Sequence, residues 1–246
     1  MSFTAKDVAA LRAQTGAGMM DCKKALEATG GDVAQAVEWL RKKGMASAEK
    51  RADRSTSQGL VGQAVEGRRG VLVELNCETD FVARTDAFKA LLARLVAQAQ
   101  AAPAPADLEA FLAQPLVAEP GKTVEELVKE AGGTIGEAIR VSKVAVLDTV
   151  EAGRIGVYLH HNAAVGVLVE MVAPSAAVAQ HEALGELGKA LAEHVAATSP
   201  LAVDKSGVPA DVVEREQRIA EEQARASGKP DAIVEKIATG KVEAFF

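Results

Sequence analysis

Asp80 and Phe81 set a carboxylate beside a bulky ring directly after a strand-like apolar run, residues 70–77. Such a pair can do two kinds of work. On the surface, carried by the loop that follows the strand, the ring could act as a probe. Within its own fold, Asp80 would cap a helix and Phe81 would fill the local core. Aromatic residues are scarce here, six Phe with one Trp and one Tyr, so a ring placed on a loop suggests a probe. The closest approach to a nucleophile is Cys77, which would need a histidine as its base, and all four histidines lie in the second half of the chain. His160 and His161 are consecutive on a predicted strand, which would aim them at opposite faces and favours structural roles. His181 and His194 lack the i, i+4 spacing of a helical metal pair. Cys22 and Cys77 lack the spacing of a zinc site or redox pair and read as reduced, buried small hydrophobes. Gly16-Ala17-Gly18 has neither the preceding strand nor the remaining glycines of a phosphate-binding loop. Arg41-Lys42-Lys43 and Lys50-Arg51 read as solvated helix-end and linker charges. No enzyme, cofactor or metal centre is expected.

The 246 residues, 48% apolar and 25% charged, suffice for one large or two modest domains with a core built mainly of alanine and valine. A net charge of -6 argues against general affinity for phosphate backbones, which takes a basic surface. A protein partner fits better, and nucleic acid is not expected. No run approaches a membrane-spanning length, and Met1-Ser2-Phe3-Thr4 opens a capped helix where an export signal would stand, so a cytoplasmic protein is expected.

The elements that position these residues begin with three short helices. Thr4-x-x-Asp7 starts the first, with Val8 and Leu11 on one face, and it ends before Thr15-Gly16-Ala17-Gly18. The second runs from Asp21 with Cys22, Ala25, Leu26 and Thr29 on a stripe, and stops at Gly30-Gly31. Asp32 caps a third bearing Val33, Ala36, Val37 and Leu40, and the bundle closes within 44 residues. That is too small for a catalytic cavity and suits a docking head. Residues 49–57 form a charged connector.

The body contains an echo. Gly70-Val71-Leu72-Val73-Glu74-Leu75 and Gly166-Val167-Leu168-Val169-Glu170-Met171 nearly coincide at an offset of 96 residues. Each follows a strand pattern, residues 59–65 and 155–160, and precedes an amphipathic helix. Phe88, Leu91, Leu92, Leu95 and Val96 mark the first helix, and Leu184, Leu187, Leu191 and Val195 the second. Both stripes are expected to face a sheet, and residues 139–147 add another strand. The class is α+β, antiparallel strands with helices on one face. Between the copies, residues 101–120 form a connector with a helical patch at 107–112. Thr123-x-x-Glu126 then caps a helix predicted to end at Gly132-Gly133. Val208-Pro209 introduces a charged helix that turns at Gly228-Lys229-Pro230 into residues 231–244. Val212, Val213, Ile219, Ile233, Val234 and Ile237 would zip this hairpin into a projecting arm.

With those residues in view, the chain resembles the bacterial elongation factor Ts family, exchange factors for the GTPase elongation factor Tu, over nearly its whole length. Residues 11–26, which include Thr15-Gly16-Ala17-Gly18-Met19-Met20-Asp21-Cys22, and Asn76-Cys77-Glu78-Thr79-Asp80-Phe81-Val82-Ala83 carry the resemblance most strongly. His194-Val195-Ala196-Ala197 and Ser227-Gly228-Lys229-Pro230 also look like family segments. The resemblance implies a ubiquitin-associated-like three-helix domain, residues 1–54, and two related strand-strand-helix core subdomains, 55–148 and 149–203. A helical hairpin, or coiled-coil, arm at 204–246 would complete it, leaving homodimerisation through the arm open. It further implies that Thr79, Asp80, Phe81 and Val82 press into the GTPase's nucleotide domain and disturb its magnesium and phosphate site, promoting exchange of GDP for GTP in translation elongation. Arg12, Met19 and Met20 would dock the head; their alternative is ordinary bundle core. The factor itself would bind no nucleotide.

Long members of the family continue past the arm into a return to the core and a C-terminal helical module, whereas this sequence stops at Phe245-Phe246, which reads as a truncation. The rival reading is a binding scaffold whose three-helix head recruits ubiquitin-like or nascent-chain partners. An enzyme with Cys77 as nucleophile ranks third.

Overall fold

A computed structural model describes residues 3–228 and 230–245. Met1, Ser2, Lys229 and Phe246 lie outside the described residues, and with them part of the expected opening and of the turn at Gly228-Lys229-Pro230. The described chain is α+β, with small antiparallel sheets and mostly helical connections. Two compact units divide it, one up to Ala196 and one from Ala197 onward. No helix among the described residues is long and apolar enough to cross a membrane.

The first unit opens with α1 (Ala5–Thr15), α2 (Met19–Ala28) and α3 (Val33–Glu49). Thr4 and Asp7 satisfy each other's backbone N–H groups at the start of α1, and Gly16 closes it in the left-handed conformation, φ 69°. Val8, Leu11, Cys22, Ala25, Leu26, Ala36 and Leu40 bury one apolar cluster. Two predicted bounds shift. α2 begins at Met19, two residues early, and α3 continues beyond residue 44 to Glu49 because its later half lies against α7 (Val124–Ile135).

At that seam a Cβ on Gly133 would sit 2.5 Å from the backbone of Gly44. The two helices therefore meet backbone to backbone. For the same reason α7 does not stop at Gly132-Gly133 as predicted. Those glycines serve close approach, and the helix ends at Ile135, capped by Gly136 at φ 92°. Charges flank the contact: Glu130 lies between Arg41 and Lys122, and Lys43 meets Asp21 at 2.5 Å. These pairs line the cleft of about 430 Å³ between the helices, so its polar groups are largely spent on one another.

Strands β1 (Gln58–Glu66), β2 (Arg69–Cys77) and β3 (Ile139–Asp148) form an antiparallel sheet in the order β1-β2-β3. The period of two decides what each face of β2 meets. Val71, Val73, Leu75 and Cys77 are buried in the core cluster with Phe88, Leu91, Leu92 and Leu95 of α5 (Asp86–Ala101). Gly70 turns to the second sheet, formed by β4 (Gly153–Leu159) and β5 (Gly166–Val172). There a Cβ on Gly70 would fall 3.2 Å from Leu168, and one on Gly166 would fall 2.9 Å from Leu72. The two equivalent glycines thus each receive the other strand's equivalent leucine, a reciprocal contact of the kind a two-fold axis produces.

Between α5 and α7 runs the short α6 (Leu108–Ala113), and after β5 come α8 (Ala176–Ala179) and α9 (Glu182–Thr198). α8 and α9 begin 96 residues after α4 (Asp80–Ala83) and α5. The predicted stripe on α9 needs correction. Leu187 is 50% exposed and Leu191 38%, whereas Gly188 and Ala192 are buried. A Cβ on Gly156 would lie 2.4 Å from the Gly188 carbonyl oxygen, so the helix rests on β4 through small residues; Leu187 and Leu191 are turned aside, while Leu184 and Val195 stay half-buried.

The second unit holds α10 (Ala210–Ala226) and α11 (Asp231–Phe245), packed as a hairpin. Its seam agrees with prediction in part: Val234 is buried and Val212, Val213 and Ile237 are half-buried, but Ile219 and Ile233 are 38% and 44% exposed, and Ala220, Ala224 and Ala238 are buried in the seam instead. Alanines let the two helices approach more closely than isoleucines would.

Candidate functional site

The end of β2 delivers the residues singled out in the sequence. Cys77 closes the strand on its buried face, the chain bends at Glu78, and Thr79 adopts an extended conformation as N-cap of α4. Thr79 Oγ1 accepts from Val82 N–H at 3.3 Å, so the capping residue is Thr79 and not Asp80. Asp80 is the first helical residue, where a carboxylate suits the helix start, and it pairs with Arg84 at 3.0 Å. Phe81 is 80% exposed. The core-filling alternative for this ring is therefore wrong: Ala83 is the residue of the turn that faces inward, with Val82 half-buried.

A residue not singled out from the sequence holds this turn. Glu137 follows the left-handed Gly136 and reaches across to the end of β2. Its Oε2 accepts from the N–H groups of Glu78 and Thr79, both at 3.1 Å, and its Oε1 accepts from Thr79 Oγ1 at 2.6 Å. The hold is returned: Glu78 Oε1 accepts from Ala138 N–H at 2.7 Å, and Arg54 donates to the same carboxylate at 3.2 Å. The Ala138 N–H first, and Arg54 after it, keep the Glu78 carboxyl below the usual carboxylate range. A lowered native value stabilises the charged form, so this hold is complete near neutral pH and is lost only as pH falls through that lowered value. No local spacing rule could have found Glu137, because the partners stand 58 and 59 residues apart. The one available signal was a carboxylate set directly between a helix-ending glycine and a strand.

Met19 and Met20 open α2 with 44% and 61% of their surface exposed, so neither belongs to the bundle core. Arg12, in the last turn of α1, is exposed as well. The structure gathers residues 79–82 into one turn and places Arg12, Met19 and Met20 on the first two helices.

Nucleophilic chemistry finds little support. Cys77 is fully buried, and its thiol is pushed up to about 11 by burial first and by the nearby Glu137 charge next. Its Sγ contacts the Thr79 carbonyl oxygen at 3.1 Å, with no histidine among its partners. At pH 8 the thiolate fraction would be about a hundredfold below that of an ordinary cysteine. Native alkylation of Cys77, followed by mass spectrometry, should accordingly run at least about a hundredfold slower than in the unfolded chain; rapid stoichiometric labelling would revive the nucleophile. His160 and His161 are not on opposite faces of a strand, since β4 ends at Leu159 and the two rings lie 4.1 Å apart. His160 Nδ1 is hydrogen-bonded to the Tyr158 hydroxyl at 2.8 Å. Among the described residues, no group of three or more His, Cys, Asp or Glu could hold a metal ion.

Residues 78–246 match the family model described as Elongation factor TS. Over its full length the chain is 44% identical to elongation factor Ts of Trichlorobacter lovleyi and 43% identical to that of Rhizobium meliloti, spanning 79% of each. It is 45% identical to elongation factor Ts of Streptomyces avermitilis, spanning 85% of that protein.

Proposed function

The chain belongs to the elongation factor Ts family, and on that premise we propose that it is a non-enzymatic guanine-nucleotide exchange factor for elongation factor Tu. The observation that carries the reading is the turn at residues 79–82, which holds a nearly bare aromatic ring outside a rigid strand end. Residues 79–82 enter the GTPase's nucleotide domain, and Phe81 with Asp80 displaces the groups around its magnesium ion and phosphates. A divalent cation bridging protein and phosphates is a large local charge, so its displacement weakens nucleotide binding steeply.

Magnitudes decide how the work is shared. A thousandfold weakening of GDP binding takes about 4 kcal/mol, whereas burying one Phe side chain supplies about 1.5–3. The head must therefore contribute, and the exposed Met19 and Met20, with Arg12, are the contacts assigned to it. Methionine suits an adaptable docking surface. Coupling is reciprocal, so a bound nucleotide weakens the factor's hold as much as the factor weakens the binding of that nucleotide, which lets incoming GTP eject the factor.

In this reading residues 1–54 are the ubiquitin-associated-like docking domain, 55–148 and 149–203 are related core subdomains, and 204–246 are a coiled-coil arm through which two copies can join. The 96-residue spacing of α4 to α8 and α5 to α9 supports the duplication. The second copy keeps the short capped helix but carries Ser175-Ala176-Ala177-Val178, without the acid and the ring. Only the first copy is then equipped to exchange nucleotide. The protein works in the cytoplasm and binds no nucleotide or nucleic acid of its own. A scaffold acting through its head alone fits poorly with α3, whose second half is packed on α7.

The test is the release of labelled GDP from purified elongation factor Tu. Sub-stoichiometric amounts of this chain should accelerate release to completion, and a rate equal to spontaneous dissociation at saturating factor would overturn the reading.

A further inference from the structure

We infer that Glu137 is a positioning residue for exchange: by gripping the N-terminal end of α4 it fixes the direction in which Phe81 projects. The inference rests on the exchange reading above. Its argument begins with a disproportion. α4 is one turn of helix at the surface, which ordinarily needs no more than its own cap, yet a side chain 58 residues away makes three bonds to its entry. The Thr79 hydroxyl joins the two systems, donating to Glu137 Oε1 while accepting from Val82 N–H. Glu137 thereby orients the cap that builds the turn.

The second copy supplies an internal control. α8 has the same length and the same kind of cap, Ser175 Oγ accepting from Val178 N–H at 3.4 Å. Among the described residues, no carboxylate reaches that N-terminal end. The long-range side chain at this loop is Arg154, which holds the far end through the carbonyls of Ala179 and His181 at 3.3 and 2.8 Å. Folding a capped single turn onto a strand and helix therefore does not require the carboxylate clamp. The clamp is found where the turn carries Asp80 and Phe81, and is missing where it carries two alanines.

Mechanically this is what insertion demands. A ring pressed into a partner is pushed back with equal force, and a single turn would yield by rotating about its extended N-cap. Charge-assisted bonds to two successive backbone N–H groups and to the cap hydroxyl oppose that rotation. The return bond from Ala138 N–H to Glu78 anchors the clamp to β3.

The experiment uses the full chain and measures GDP release from elongation factor Tu as factor concentration is varied. Glu137→Ala should lower the limiting rate by about 10- to 100-fold, the cost of misplacing a working group by about 1 Å. The half-saturating concentration should stay unchanged, since the head still docks. Amide hydrogen exchange at Glu78 and Thr79 should rise while the melting temperature barely moves. Glu137→Gln keeps one acceptor oxygen and should recover part of the rate, which guards against a simple folding defect. Phe81→Ala, measured alongside, separates the two ideas. If Phe81→Ala leaves release unchanged, the exchange reading of the turn itself fails. If Phe81→Ala slows release but Glu137→Ala keeps the full limiting rate, or only raises the half-saturating concentration, the positioning role is overturned.

Discussion

Phe81→Ala will slow factor-driven release of GDP from elongation factor Tu by about 10- to 150-fold and leave the stability of the factor nearly untouched. The rate figure follows from area. A Phe side chain moving from water into a partner gains about 1.5–3 kcal/mol, and each 1.36 kcal/mol is a factor of ten in rate. The stability figure follows from exposure. With 80% of its surface already in solvent, the ring loses little on truncation, and surface changes of this kind stay within about 0.5 kcal/mol. Stopped-flow release of a fluorescent GDP, paired with urea unfolding, reads both. Full activity in the variant would remove the ring from the mechanism; a large loss of stability would mean that Phe81 packs within its own chain.

Phe88→Ala, seven residues on, should do the reverse. Phe88 is fully buried at the start of α5, in the core cluster that also holds Val73, Leu75, Leu91 and Leu95. Truncation forfeits the transfer energy of the ring and leaves a cavity that neighbours on a strand and a helix only partly fill, at about 3–5 kcal/mol. Domains have only about 5–15 kcal/mol to lose. The backbone cap at this position survives, since Thr85 Oγ1 accepts from the Phe88 N–H and needs no ring. Urea unfolding should show a strongly lowered midpoint with little change in slope, and the folded fraction should still drive GDP release from elongation factor Tu at close to the normal rate. A stability change under about 1 kcal/mol would mean that α5 is not seated on β2 as described.

The contrast between these two phenylalanines marks how far the sequence could be read. Local rules with short reach came through. The Thr4–Asp7 and Thr123–Glu126 capping boxes formed, and the apolar stripe of α5 met the sheet. Each is a matter of three- to four-residue periodicity, which a chain carries in its own order. The errors lie where two elements meet. Gly132-Gly133 looked like a helix stop and is instead a place where α7 admits another backbone, because absence of a side chain is the same signal for both uses. Leu187 and Leu191 of α9 promised burial, yet Gly188 brought the helix in on a different face.

At the site the division is sharpest. The sequence by itself determined that an acid and a ring follow a buried strand, and that the strand and the helix after it recur 96 residues further on. Only the tertiary structure decided that Thr79 and not Asp80 caps α4, that Phe81 faces solvent, and that Glu137 holds the turn from 58 residues away. The physical reason is one of range. Capping and periodicity act between residues a turn or two apart, whereas burial and long-range hydrogen bonds exist only once β3 has paired with β2 and carried Glu137 to the end of that strand.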